Sequence, residues 1–361
     1  MKQLYDKNNC LVNITSSILK HYDVTPFHSS NEKLDGILSK TNKKICLLLL
    51  DGFGSKIREV YKDYCPFIRE HFFTKITSVF PATTVAATTA LTTDRFPLET
   101  GWLGWTTQFP KYKDAVLTFM SSLETQKTPI NPSVKEELPY KTIFEILNEH
   151  NVKADTIQNF TLEDSSLNGF FKATNDKLKE VDFLYAYNTE PDHTLHDEGV
   201  GSEKLIPIIK ALDEGVKKLV EENKDTLFIV LADHGHLNCK NMEIDEHEDF
   251  FSLLKYKHFA CEGRAAFFFV EEENKEKFKE LATKYYGDYF YILTKEEVIK
   301  NDIFGVGNPS PKFESLLGDF LLISKDESCF AQTYFREGLA STHAGSSDDE
   351  IYIDVSLFNQ D

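Results

Sequence analysis

The chain has 361 residues, 41% of them hydrophobic and 27% charged, which supports a packed interior and excludes wholesale disorder. Forty Lys and Arg against 58 Asp and Glu give a formal charge of −18; this speaks against coating nucleic acid or an anionic membrane, although a bound divalent cation would create a local positive site. At roughly 100–200 residues per domain, the length suggests two domains, or one with an insertion. The N-terminal stretch MKQLYDKNNCLVNITSS lacks the apolar core of a signal peptide. No segment reaches the roughly 18 consecutive apolar residues of a membrane span. The six cysteines (Cys10, Cys46, Cys65, Cys239, Cys261, Cys329) are widely spread without a CxxC pair. Reduced thiols in a cytoplasmic protein are therefore expected.

Ile45–Leu50 is a continuous apolar run stopped by Asp51-Gly52-Phe53-Gly54, the pattern of a buried parallel strand. Lys75–Phe80 reads as a strand closed by Pro81, and Thr83–Thr92, rich in Ala and Thr, as a helix. Gln108–Leu138 is interrupted by prolines and has little period, so a surface excursion is expected there. Tyr140–Glu149 has a helical period, and Ala154–Gln158 and Val181–Tyr187 read as strands. Ser202–Glu222 is a long amphipathic helix with a serine start. Leu227–Ala232 is another buried strand, ending in Asp233-His234-Gly235. A separate pattern follows, with strands at Ala265–Val270, Tyr289–Leu293 and Asp319–Ser324 and a helix at Lys275–Tyr285. The alternation predicts an α/β fold, a mostly parallel central sheet with helices on both faces. Residues 1–236 and 341–361 would form the core, and 237–340 a smaller α/β cap or insertion.

Three of these strands end in, or a few residues before, groups that bind metals: Asp51, then Asp192 and His196, then Asp233 and His234. Sites in open α/β sheets form at the carboxyl ends of strands. His343, in Ser341-Thr342-His343-Ala344-Gly345, adds a fourth piece. Singly, each has an ordinary role: Asp51 as a turn residue, Asp192 and His196 as one solvated helix face. Together, three carboxylates and three imidazoles suit Zn²⁺ or a similar divalent ion better than Ca²⁺. Six ligands suit two ions sharing a phosphoryl group. A nucleophile is available in Phe80-Pro81-Ala82-Thr83-Thr84, where hydroxyls stand at a helix start beside free backbone N–H groups. Metal coordination would activate such a threonine; the alternative is an ordinary helix cap.

At these residues the sequence resembles the alkaline phosphatase superfamily, in its branch of type I phosphodiesterases and nucleotide pyrophosphatases. The matching pieces are LLLLDGFG, FPATTVAATTALTT, the DxxxH of PDHTLH, LADHGH and THAG, spanning residues 47–345. The resemblance implies that Asp51, Thr84, Asp233 and His234 hold one metal and Asp192, His196 and His343 the other. It implies Thr84 as nucleophile, attacking phosphorus in line to give a covalent phospho-threonine that water then hydrolyses. Two divalent ions are expected, zinc first and manganese as the alternative. The implied function is a phosphodiesterase or pyrophosphatase acting on a small phosphate ester or nucleotide-like substrate. A phosphomonoesterase or phosphomutase on the same core is the alternative enzyme, and a non-catalytic partner-binding relic the alternative outside catalysis. Three departures stand out. Thr93-Asp94 replaces the usual Thr-Gly. The phosphate-binding Asn of the pyrophosphatases is missing from Thr100–Thr107, where Thr106 or a backbone N–H could substitute. His236 is extra. Trp102, Trp105, Phe109 and Tyr112 could stack on a base or serve as core. The sulfatase pattern is absent near Thr84.

Overall fold

The structure is a computed structural model that describes residues 4–334 and 338–360. The apolar run becomes the strand Lys44–Leu50, buried from Ile45 to Leu50. A strand apolar on both sides needs cover on both faces of its sheet. Phe183–Asn188 and Thr226–Leu231 flank it, both parallel, with Leu50 opposite Asn188 and Leu49 opposite Leu231. Ala154–Gln158 adds a further parallel strand beyond Phe183–Asn188. On the other side Tyr352–Phe358 runs antiparallel both to Thr226–Leu231 and to Phe72–Thr77.

The six-stranded sheet is therefore mixed, with three parallel pairings around Lys44–Leu50 and two antiparallel ones made by Tyr352–Phe358. The reversed strand comes from the segment after the THAG loop. Its register leaves Tyr352 exposed and Ile353 buried, an alternation too short to stand out. The packed helices form two groups. Leu11–His21 lies against Thr84–Thr93, and Leu205–Glu222 against Leu167–Lys177 and Pro66–Glu70. Leu205–Glu222 buries Leu205, Ile209, Leu212, Val216 and Leu219, the one-sided stripe that its sequence period requires.

A second, seven-stranded sheet is antiparallel at every pairing. Its order is Phe290–Thr294, Phe320–Ser324, Ala265–Phe268, Ala260–Glu262, Thr106–Thr107, Val116–Leu117, Ser122–Leu123. The stretch read as a surface excursion thus supplies two strands, each of two residues, too short to show a period. Phe250, Phe268, Phe278, Tyr286, Phe290 and Phe330 form a separate aromatic core under this sheet. A buried ion pair reaches from this sheet to the segment after THAG: Arg264 Nε lies 2.6 Å from Glu350 Oε1 and its Nη2 2.9 Å from Oε2. All six cysteines are unpaired. Among the described residues no helix is long and apolar enough to cross a membrane.

Candidate metal centre

Strand register assembles the site. Asp51 follows the central strand and its N–H donates to Asn188 O at 3.0 Å, while Asp192 N–H donates to Asp51 O at 3.0 Å. Gly52 then turns the chain at φ +69°; a Cβ there would stand 3.0 Å from both Asp192 Cβ and His236 Cδ2. Only glycine serves this turn comfortably. Its N–H donates to Asp233 Oδ1 at 3.1 Å. Ser341–Thr342 pairs with Leu237–Asn238, which brings the THAG loop beside Asp233-His234-Gly235-His236.

Side chains from all four pieces meet. His234 Nε2 lies 3.3 Å from Asp51 Oδ1, 3.4 Å from Asp233 Oδ2 and 3.2 Å from Thr84 Oγ1. Asp192 Oδ1 lies 2.5 Å from His236 Nε2, 3.5 Å from His196 Nε2 and 3.7 Å from His343 Nε2. Two clusters of donor atoms result, Asp51 with Asp233 and His234, and Asp192 with His234, His236 and His343. Within each, all donor atoms lie within 4.8 Å of one another. His196 stands beside the second cluster. His236, whose role the sequence left open, lies inside it.

The ring nitrogens facing away show what this cluster needs. Nδ1–H donates to a backbone carbonyl from His196 (Ser341 O, 2.9 Å), His234 (Gly235 O, 3.1 Å) and His343 (Ala82 O, 3.0 Å). His236 Nδ1 faces Ser341 Oγ at 3.2 Å, and that hydroxyl donates to Leu195 O, so it accepts from the ring. Bonds of this kind fix the tautomer. Each Nε2 then offers a lone pair to the middle, where it meets carboxylate oxygens. Acceptors face acceptors, and a cation between them resolves the conflict.

Two further observations agree. Asp51 Oδ1 and Asp233 Oδ2 are buried without a hydrogen-bond partner, a costly state for a carboxylate unless a cation compensates it. Burial, with mutual repulsion adding to it, pushes the Asp51 carboxyl well above the usual range. Burial holds two of the imidazoles neutral, His236 down to about 4 and His343 well below its ordinary value. The residues present therefore fit divalent cations.

The two candidate hydroxyls separate clearly. Thr83 caps the helix with extended backbone, and its Oγ1 donates to Glu262 Oε1 at 2.6 Å. Thr84, the first helical residue, turns Oγ1 to His234. Glu262 also accepts from Trp105 N–H at 2.7 Å. Nothing in the sequence marks Glu262, an acid in a short strand of the second sheet. Tyr187, whose hydroxyl donates to Asp51 Oδ2, was equally unmarked. Beside the cluster a cavity of about 570 Å³ is lined by Thr84, His196 and His343 and by residues of the second sheet.

A family model described as type I phosphodiesterase / nucleotide pyrophosphatase matches residues 45–345. No curated protein sequence matches the chain. Among solved structures, the chain is similar to murine ectonucleotide pyrophosphatase / phosphodiesterase 5, solved in an inactive form in complex with AMP, at 16% identity and a TM-score of 0.66, over 87% of this chain and 88% of that one. The human protein of the same name gives 15% identity and 0.66, over 88% of each chain. Phosphonoacetate hydrolase from Sinorhizobium meliloti 1021, in complex with phosphonoformate, gives 14% identity and 0.65, over 87% and 89%. At such identities the likeness to these structures is one of fold.

Proposed function

This chain belongs to the type I phosphodiesterase / nucleotide pyrophosphatase family, and on that premise we propose that it hydrolyses small phosphodiesters or pyrophosphates with Thr84 as the nucleophile. The observation that carries the reading is the position of Thr84 Oγ1. It stands at a helix N-terminus, on the cavity wall, 3.2 Å from His234 Nε2 and hence beside the unpartnered oxygens of Asp51 and Asp233. In this proposal Asp51, Thr84, Asp233 and His234 hold one divalent ion and Asp192, His196 and His343 the other, with His236 joined to Asp192. The mixture of imidazole and carboxylate favours zinc, with manganese as the alternative. When bound, the two ions supply Lewis-acid neutralisation of the phosphoryl oxygens.

The chain's own groups do the rest. N–H groups of the first turn after Thr83, free of helical partners, receive a phosphoryl oxygen. Thr84 Oγ attacks phosphorus in line; the bond to one alcohol arm breaks, that arm leaves with a proton, and a threonyl ester carrying the other arm remains. Water then cleaves that ester. Of the substitutes for the missing Asn, Trp105 N–H goes to Glu262 and Thr106 Oγ1 points to Cys261 O at 3.4 Å. We read residues 237–340 as a cap on a core of 1–236 and 341–361, its sheet completed by strands from 106–123. The six unpaired thiols support a reducing, cytoplasmic setting.

The test is turnover of a p-nitrophenyl phosphodiester against p-nitrophenyl phosphate by metal-reconstituted protein. The diester should be preferred, and Thr84→Ala should lose about 10³-fold or more of kcat with its circular dichroism unchanged. Mass analysis of an acid-quenched reaction should find the ester on the peptide containing Thr84. Turnover retained in Thr84→Ala would end the nucleophile assignment, and preference for the monoester would move the reading to a phosphatase or mutase.

A further inference from the structure

The cavity beside Thr84 is unusual in what it offers a ligand. Glu124 lines it, only 8% exposed, and its Oε2 is buried without a hydrogen-bond partner. Gln332 lines it too, 7% exposed; its amide donates from Nε2 to Phe259 O at 2.9 Å, while Oε1 has no partner. Glu262 adds a second carboxylate, whose bonds from Thr83 and Trp105 both fall on Oε1. Rings of Phe259, Phe330 and Tyr334 complete this part of the wall. Among the described residues the lining holds one Lys or Arg, Lys127, and that residue is exposed.

Among the described residues the wall thus offers two buried acceptor atoms without partners, a second carboxylate and aromatic faces, with the Tyr334 hydroxyl bonded to Glu124. Buried acceptors are costly to leave unmatched. An aliphatic arm would leave them so, and an anionic arm would meet two carboxylates. A neutral nucleobase or polyol brings no positive charge to the two carboxylates. A protonated primary amine has three donors and no acceptor, and aromatic faces attract cations.

We infer that the arm of the substrate seated in this cavity carries a protonated primary amine, held by Glu124, Gln332 and Glu262 among the aromatic rings. This rests on the phosphodiester reading of the site and names its substrate class, an ammonium-bearing alkyl phosphoester. The electrostatics agree. Burial pushes Glu124 up to about 6 and Glu262 up to about 7, and a cation bound between them would offset that penalty.

The experiment reads binding, so that its failure is separable from failure of the catalytic reading. Metal-reconstituted protein is titrated calorimetrically with 2-aminoethyl phosphate, ethyl phosphate, 2-(trimethylammonio)ethyl phosphate and a nucleoside 5′-monophosphate. The aminoethyl ester should bind about tenfold or more tighter than the ethyl ester, the scale of a charge-assisted hydrogen bond. Glu124→Gln should shrink that ratio toward one. Should that variant fail to fold, Gln332→Met is expected to shrink it in the same direction. Equal affinity for the aminoethyl and ethyl esters, or tightest binding of the quaternary ester or the nucleotide, would overturn the inference. Absence of diester turnover, with the aminoethyl preference intact, would count against the catalytic reading alone.

Discussion

Asp94 ends the helix that begins at Thr84, in a left-handed conformation (φ 57°) where glycine is usual. Aspartate tolerates that conformation better than most residues because its side chain bonds locally. Here it accepts from Ser16 Oγ at 2.5 Å and from Phe27 N–H at 2.7 Å, tying the helix end to Leu11–His21 and to the loop after it. The departure from Thr-Gly is therefore a structural substitution away from the metal cluster. Burial pushes this carboxyl up to about 6, against the help of both donors. A raised folded value favours the protonated form. Its stability contribution is present below the unfolded value near 4 and is lost as pH rises through 6. Asp94→Asn should remove that dependence. Between pH 4 and 7 the wild type should lose about 2–3 kcal/mol relative to Asp94→Asn, read from thermal melts of chelated protein at each pH. An equal pH slope in the two proteins would refute the assignment. The residues illegible in the sequence, Glu262, Glu124 and Gln332, share a reason. A lone acid or amide in a short strand or loop looks solvated until the fold shows what encloses it.

At the scale of elements, the two sheets share an apolar core, and a buried ion pair joins them beside it. Glu350 accepts from Arg264 with both carboxylate oxygens and also from Gly345 N–H at 2.7 Å, and its own carbonyl accepts from Gly235 N–H at 2.7 Å. A Cβ on Gly235 would sit 2.1 Å from Asp349 O. One residue thus braces the turns that present His234 and His343. Arg264→Met would leave a buried carboxylate unpaired, a loss of about 3–5 kcal/mol. Denaturant melts should show it, and metal content should fall with it. A shift under about 1 kcal/mol would mean that water reaches Glu350. The strands that carry the site were legible: 45–50, 181–187 and 227–232 in the sequence lie within two residues of the structure's bounds at every end. They are apolar on both faces and stopped by polar ligands, and both properties are local. The second sheet was legible only where its strands reach four or five residues. Its two-residue members owe their conformation to partners far along the chain.

For the whole molecule, the collected charge decides the behaviour. A chain of net charge −18 also gathers Asp51, Asp192 and Asp233 within a few ångströms of one another's imidazole partners. Removing bound cations should expose that repulsion. Chelation should lower the melting temperature by about 5 °C or more, as expected for ions held near 100-fold above their dissociation constants, and readdition of zinc or manganese should restore it. An unchanged melt with metal shown to be gone would separate the cluster from stability. The convergence of these Asp and His side chains was legible because ordering along the chain and strand-end position suffice to place them; the cavity that would select a substrate was not, since its walls come from many separated stretches. The central sheet carries one more consequence. Phe72–Thr77 pairs in that sheet only with Tyr352–Phe358, which lies between it and Thr226–Leu231. On the ribosome, this strand must wait with an open edge for a partner that lies far along the chain. Until that partner arrives the edge is open to wrong pairing.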